Sequence, residues 1–299
     1  MKPVDSTLDL CSAPLPAGSV VGRGQSLVPQ LLVSARSAVE CLEAIRGGAE
    51  ILDLKEPSEG ALGRVTTEQL ARCLTVLEAQ SANITISLAM GELLDWGAQL
   101  DPSRVAFLNV VRAHKHRIRF LKFGLAGCDE FSLRANWLDR LSGLRTHLAE
   151  PVEDDEAQAG TQQHDSVPAE PYLIPACYAD WRQAASPSPG EVVSALPELV
   201  SAGMLIDTFI KNGTGVFGCL TTAELSRIAR ECRATGVFLA LAGQIAAGDL
   251  GAVAAVNPEI IGVRGAVCRE GRQSSLDGEL VRSFRNQLYK TFQLAVTTR

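Results

Sequence analysis

The sequence lacks the features that mark membrane, secreted or nucleic-acid-binding proteins. No apolar run reaches the ~18 to 20 residues that a membrane span needs, and no secretory signal is recognisable at the amino terminus. Acidic side chains outnumber basic ones by 34 to 28, which gives a net charge of −6. Nucleic acids and anionic membranes select basic surfaces. We therefore expect neither as a partner.

Recognisable disulfide and metal-ligand spacings are absent as well. The eight cysteines are scattered, without a C-x-x-C pair, which favours reduced thiols in a cytoplasmic protein over a disulfide framework. His147 and His164 flank an acidic segment, but their spacing matches no known ligand pattern. We expect no metal and no cofactor.

What the sequence does contain is a regular alternation of apolar runs and amphipathic stretches of helical length. Such alternation predicts a parallel sheet covered by helices. Eight units within 299 residues predict a closed (β/α)8 TIM barrel. The predicted strands are 31–36, 51–57, 84–91, 120–127, 172–180, 204–211, 238–245 and 260–268. The predicted helices are 37–46, 67–80, 102–114, 130–148, 192–202, 221–235, 248–257 and a last one from 278 to about 288.

Two segments fall outside this alternation. Residues 1–28 are rich in Ser, Pro and Gly, which predicts a flexible extension. Residues 150–170 are acidic and carry almost no large apolar side chain, which predicts a solvated insertion between the fourth helix and the fifth strand. The rest, 29–299, is expected to form one barrel domain.

Three lysines lie where predicted even-numbered strands end: Lys55, Lys122 and Lys211. Burying an ammonium group is costly or lowers its pKa, and a neutral lysine is what Schiff-base chemistry needs. Asp53 and Asp207 precede two of the lysines by two and four residues, on the same face of a strand. Because alternate strands of such a barrel share an interior layer, we expect the five side chains to meet at its carboxyl-terminal mouth. The alternative is that each lysine is an ordinary solvated rim residue.

The last two predicted strands end in loops suited to an anion. Barrels of this type often bind phosphate with the loops after strands seven and eight. Here those loops contain Gly243, Arg264 and Gly265. Glycine allows close backbone approach and arginine offers a planar donor fork. These residues predict a phosphorylated substrate.

Several ordered motifs resemble the (5-formylfuran-3-yl)methyl phosphate synthase family of methanofuran biosynthesis. The likeness covers about residues 30 to 285. It rests on LLVS at 31–34, GGAEILDLKEP at 47–57, GALG at 60–63, KFGLAG at 122–127, CYAD at 177–180, LIDTFIKNG at 205–213, LALAG at 239–243 and GVRGAVC at 262–268. The extension and the acidic insertion are departures from the compact form of the family.

The resemblance implies a (β/α)8 fold. It also implies a reaction in which two molecules of the phosphorylated triose glyceraldehyde 3-phosphate condense to a phosphorylated furan aldehyde. It implies that Lys55 forms the Schiff base and that Lys122 is the proton acceptor, with Asp207 and Lys211 also important. Two other functions remain open: a Schiff-base aldolase of the deoxyribose-phosphate type, and a non-catalytic barrel that binds a sugar phosphate. A homo-oligomer is compatible with each of them.

Overall fold

The computed structural model describes residues 28–80, 83–97, 99–129, 134–149, 170–199, 201–211 and 213–297. The expectations for the extension at 1–28 and the insertion at 150–170 fall almost wholly outside these ranges. They stay predictions.

Eight parallel strands close into a barrel in chain order, with β8 pairing back onto β1. This confirms the predicted fold. The strands are β1 Gln30–Ala35, β2 Ile51–Leu54, β3 Thr85–Glu92, β4 Ile118–Gly124, β5 Tyr172–Tyr178, β6 Gly203–Asp207, β7 Phe238–Leu241 and β8 Ile260–Val263. All four even-numbered strands, and β7, end several residues earlier than predicted. Beyond β4, β7 and β8, apolar side chains such as Leu125, Ile245 and Val267 are buried in loops, so apolar composition alone could not mark the boundary.

The described residues also form nine α-helices, most of which cover the strands. They are α1 Ala38–Gly47, α2 Thr67–Ala79, α3 Pro102–Ala113, α4 Arg134–Ala149, α5 Pro189–Ala195, α6 Val216–Cys219, α7 Thr222–Ala234, α8 Leu250–Val256 and α9 Gly278–Thr297. Side-chain caps define several helix starts. Thr66 and Thr221, for example, accept backbone N–H groups of the first turns of α2 and α7 in reciprocal capping boxes. None of the helices in the described ranges is both long enough and apolar enough to span a membrane.

The core has two layers. The larger lies between the strands and the helices, where both present Leu, Ile and Val. The smaller fills the barrel interior and includes Leu32, Ile51, Phe120 and Ile174. Towards the carboxyl-terminal mouth the interior becomes polar, with buried Ser34, Asp53, Lys122 and Asp207. Buried charge of this kind is costly unless it is paired or used, so the mouth is the place to look for chemistry.

Candidate active site

The five predicted side chains converge at the mouth. Lys122 lies within β4, two residues before its end, while Lys55 directly follows β2. Lys211 lies four residues beyond β6, so it reaches Asp207 from a loop and not by strand alternation as predicted. We call Asp53, Lys55, Lys122, Asp207 and Lys211 the lysine–aspartate cluster.

Ion pairs connect the members of the cluster. Lys122 Nζ lies 2.6 Å from Asp53 Oδ1, and Lys211 Nζ lies 2.5 Å from Asp207 Oδ1. Lys55 Nζ reaches Asp207 Oδ2 at 3.4 Å. Asp207 thus bridges two lysines that follow different strands. The side chains of the three lysines are at least 87% buried, which does not fit the alternative that they are solvated rim residues.

Burial and neighbouring charges shift the acid–base behaviour of the cluster. Burial lowers the pKa of Lys122, with Asp53 opposing the shift and Lys55 adding to it. Burial likewise lowers the pKa of Lys211 to about 8, against the attraction of Asp207. Burial alone would raise the pKa of Asp207, but the ammonium groups of Lys211 and Lys55 outweigh it and hold that pKa well below its usual value. The site therefore combines a carboxylate that is ionised near neutral pH, that of Asp207, with two amines, those of Lys122 and Lys211, that lose a proton more easily than usual.

The loop after β6 owes its shape to Asp180. Its carboxylate accepts the backbone N–H groups of Phe209 at 2.7 Å and Ile210 at 2.8 Å. This clamp turns the chain back so that Lys211 donates to Asp207 and Thr208. Asp180 was part of the sequence motifs, but its structural role depends on a contact across 29 and 30 residues.

Arg264 does not offer the donor fork that the sequence predicted. Its five N–H groups donate to protein acceptors: Nε to the Arg272 carbonyl, Nη1 to the Ser34 carbonyl and to Glu40, and Nη2 to Glu40 and to the Ser274 carbonyl. The ion pair with Glu40 is buried. A guanidinium has five donors in all, so none is left for a phosphate. The structure corrects this expectation and makes Arg264 a structural residue.

Arg272 is an arginine near the cluster. Its Nη2 donates to the Pro57 and Gly60 carbonyls of the loop after β2, and its charge interacts with those of Asp207 and Lys211. Burial lowers its pKa, while Asp207 acts in the opposite direction. Sequence reasoning missed Arg272 because it lies beyond the strand-end motif.

The two predicted glycines lie beside this region. Gly243 has a φ of +102° and approaches Thr208 so closely that a Cβ would crowd the Thr208 backbone nitrogen at 3.1 Å. Gly265 begins a short 3-10 turn next to Arg272. Gly243 is thus required by packing, whatever it binds. The phosphate roles of both residues stay predictions.

A third carboxylate, besides those of Asp53 and Asp207, also faces the mouth and was not identified from the sequence. Glu92, the last residue of β3, accepts a hydrogen bond of 2.5 Å from the Tyr178 hydroxyl of β5. Within the described ranges no group of three or more His, Cys, Asp or Glu side chains is arranged to hold a metal ion.

The chain resembles known proteins over most of its length. The family model for 4-HFC-P synthase matches residues 31–285. The (5-formylfuran-3-yl)methyl phosphate synthase of Archaeoglobus fulgidus is 27% identical over 252 residues, which cover 84% of this chain and 96% of that protein. A putative (5-formylfuran-3-yl)methyl phosphate synthase of Methylorubrum extorquens is 26% identical over 257 residues, 85% of this chain and 89% of that one.

Solved structures of similar shape support the fold alone. Phosphoribosyl anthranilate isomerase from Thermus thermophilus aligns with a TM-score of 0.52 at 16% identity, covering 87% of this chain and 98% of that one. KGPDC from Streptococcus mutans aligns with a TM-score of 0.51 at 9% identity, covering 88% of this chain and 99% of that one.

Proposed function

Because the chain belongs to the 4-HFC-P synthase family, we propose that it condenses two molecules of glyceraldehyde 3-phosphate to (5-formylfuran-3-yl)methyl phosphate, the furan precursor of methanofuran. The reaction releases one inorganic phosphate and two water molecules and needs no oxidant. The observation that carries the proposal is the lysine–aspartate cluster, which lies inside the matched residues and at the mouth where barrel enzymes place their catalytic groups.

Lys55 is the proposed Schiff-base residue. Its amine is the least tightly held of the three, since 3.4 Å to Asp207 exceeds the usual N–H···O range of about 2.7 to 3.2 Å. The neutral amine attacks the aldehyde carbon of one triose, and loss of water gives an iminium. The ionised Asp207 carboxylate beside it stabilises that positive charge.

Lys122 is the proposed base. Its side chain is 94% buried and paired with Asp53, and the lowered pKa makes its amine a better proton acceptor near neutral pH. The iminium acidifies the neighbouring C–H bond, so that removal of the proton leaves an enamine. The enamine carbon then attacks the aldehyde of the second triose.

The remaining cations suit the phosphate groups. Lys211 keeps its proton below about pH 8, and Arg272 takes the place first assigned to Arg264. Backbone N–H groups near Gly243 and Gly265 complete the proposed phosphate site. Two anionic substrates explain why the mouth carries more cations than anions although the whole chain has a net charge of −6.

One assay tests the proposal against its alternatives. Pure protein is mixed with glyceraldehyde 3-phosphate, and phosphate release and the ultraviolet band of a furan aldehyde are recorded together. We expect both to rise in proportion. Reversible aldol chemistry without phosphate release would favour the deoxyribose-phosphate type of aldolase. Absence of a borohydride-trapped adduct on any lysine would favour a binding protein.

A further inference from the structure

The pairing of Glu92 with Tyr178 is built into the barrel at three positions. In β3, a bulge between Ala89 and Glu92 adds one residue relative to β4, so that Glu92 pairs with Gly124. Gly91 takes a φ of +86° at this bulge, a conformation that glycine adopts without strain. Without the bulge, Gly91 and not Glu92 would pair with Gly124 on the inner face.

Gly124 leaves the space in which the two side chains meet. A Cβ at this position would collide with both the Glu92 carboxylate and the Tyr178 hydroxyl. Tyr178 points inward with Ile174 and Ala176, and its register partner on β6 is Asp207. Glu92 and Tyr178 therefore share the top layer of the barrel interior with the lysine–aspartate cluster.

The carboxyl group of Glu92 has different charged neighbours from those of Asp53 and Asp207. Each aspartate faces at least one ammonium group. Within the described part of the chain Glu92 has no ion-pair partner, and its two oxygens accept from the Tyr178 hydroxyl and the Ala126 N–H. Burial raises its pKa, with Asp95 and Asp207 adding to the shift and the two hydrogen bonds opposing it. The Cys128 thiol is a further titratable group nearby.

The proposed reaction needs an acid that the cluster does not supply. Each loss of water removes a proton from carbon and adds one to a departing hydroxyl group. Lys55 is committed to the iminium, Lys122 is the proposed base and the charged Lys211 is assigned to the phosphate groups. Asp207 is held ionised and Asp53 faces Lys122. Glu92 is half-buried and so remains open to the mouth, whereas Tyr178 is fully buried.

We propose that Glu92 is the general acid of the dehydration steps and that Tyr178 is its positioning residue, an inference that rests on the proposed function. In each step a neutral lysine amine takes the proton from carbon, the freed electron pair forms a C=C bond, and the adjacent C–O bond breaks. The departing oxygen takes the Glu92 proton and leaves as water. Proton exchange with solvent then restores Glu92 and the lysine, so no electrons are gained or lost.

The test compares Glu92→Gln with a matched pair elsewhere in the chain. Glu50 accepts a hydrogen bond of 3.1 Å from the Tyr289 hydroxyl, and Glu50 precedes β2, on the opposite side of the barrel from the mouth. Glu50→Gln and Tyr289→Phe therefore remove the same chemical groups without touching the site. All variants are assayed with glyceraldehyde 3-phosphate for borohydride trapping on Lys55, for furan formation, for the pH dependence of kcat and for thermal unfolding.

We expect Glu92→Gln to keep trapping while kcat for furan formation falls by about 100-fold or more, the usual contribution of a general acid. In wild type, kcat should decrease as pH rises and Glu92 loses its proton. This decrease should be absent from the pH profile of Glu92→Gln. Tyr178→Phe removes a hydrogen bond that lowers the pKa of Glu92, so the same decrease should move to higher pH, with a smaller loss of kcat. The control variants should match the wild type.

Two results would overturn the inference while the proposed function stands: furan formation by Glu92→Gln within about threefold of wild type, or equal loss of trapping and furan formation. If Glu92→Gln does not fold, the Tyr178→Phe variant decides. A folded Tyr178→Phe protein whose kcat falls at the same pH as in wild type would also overturn the inference. A wild-type protein that forms no furan would instead refute the proposed function, and the role of Glu92 with it.

Discussion

Replacing Arg264 by Met should lower stability and not primarily substrate affinity. The side chains of Arg264 and Glu40 are 7% and 6% exposed and lie 2.8 Å apart. Removing one partner of a buried ion pair costs about 3 to 5 kcal/mol, because the other charge stays buried without compensation. Arg36 still contacts Glu40 at 3.2 Å, which places the expected loss near the lower end of that range. Because the Tm of a chain of this size shifts by roughly 2 °C per kcal/mol, a loss of about 3 to 4 kcal/mol should lower Tm by about 6 to 8 °C.

Differential scanning calorimetry with a matched control checks this magnitude. The exposed pair Arg227–Glu231 is 51% and 41% exposed, so Arg227→Met should change the free energy of unfolding by at most about 0.5 kcal/mol. The double variant Glu40→Gln with Arg264→Met should recover part of the loss, since it no longer buries a carboxylate that has lost one of its two arginine partners.

The pH dependence has a definite sign. The pKa of Glu40 is lowered in the folded protein: burial would raise it, but the hydrogen bonds and charges of Arg264 and Arg36 outweigh that effect. The stabilisation is therefore present above the ordinary glutamic value of 4.5 and is lost as pH falls through the lower folded pKa. The difference in Tm between wild type and Arg264→Met should shrink on acidification. An unchanged Tm combined with a tenfold higher KM would refute this account and restore Arg264 as a phosphate ligand.

Four other outcomes are expected. Lys55→Arg should abolish both trapping and activity, because a guanidinium does not become a neutral nucleophile. Borohydride labelling measures the trapping and circular dichroism checks that the variant is folded. Full activity would exclude Lys55 as the Schiff-base residue. Arg272→Ala should raise KM by an amount equivalent to about 1.5 to 3 kcal/mol, the value of a charge-assisted hydrogen bond. An unchanged KM in steady-state kinetics would show that Arg272 does not bind the phosphate. Since Lys211 loses its charge as pH passes about 8, KM for the phosphorylated substrate should rise there in wild type but not in Lys211→Arg; identical profiles would contradict this. α4 ends and β5 begins on the side of the barrel opposite the mouth. Replacing the intervening residues 150–169 by a short Gly/Ser loop should therefore leave kcat/KM within a few-fold, and a hundredfold loss in a folded variant would show that the segment reaches a site.

The sequence alone determined the architecture and most of the cluster. Eight alternating units specify a barrel because each strand is buried on both faces and each helix on one. Once the barrel is known, Lys55 and Lys122 must face its mouth, because side chains on alternate strands share interior layers. These inferences need only local patterns and one rule of topology. Strand ends were less certain, since Ala242 and Ile245 are apolar and yet lie beyond β7.

Only the tertiary structure decided which charged groups are free for chemistry. Arg264 follows a strand end and resembles a phosphate ligand, but its carboxylate partner lies 224 residues away in sequence. Glu92 and Tyr178 meet across 86 residues, through a bulge and a glycine that no periodicity reveals. Long-range packing decides which groups pair with a buried charge. Because an unpaired buried charge is costly, each such charge is paired with a complementary group that the folded chain places nearby.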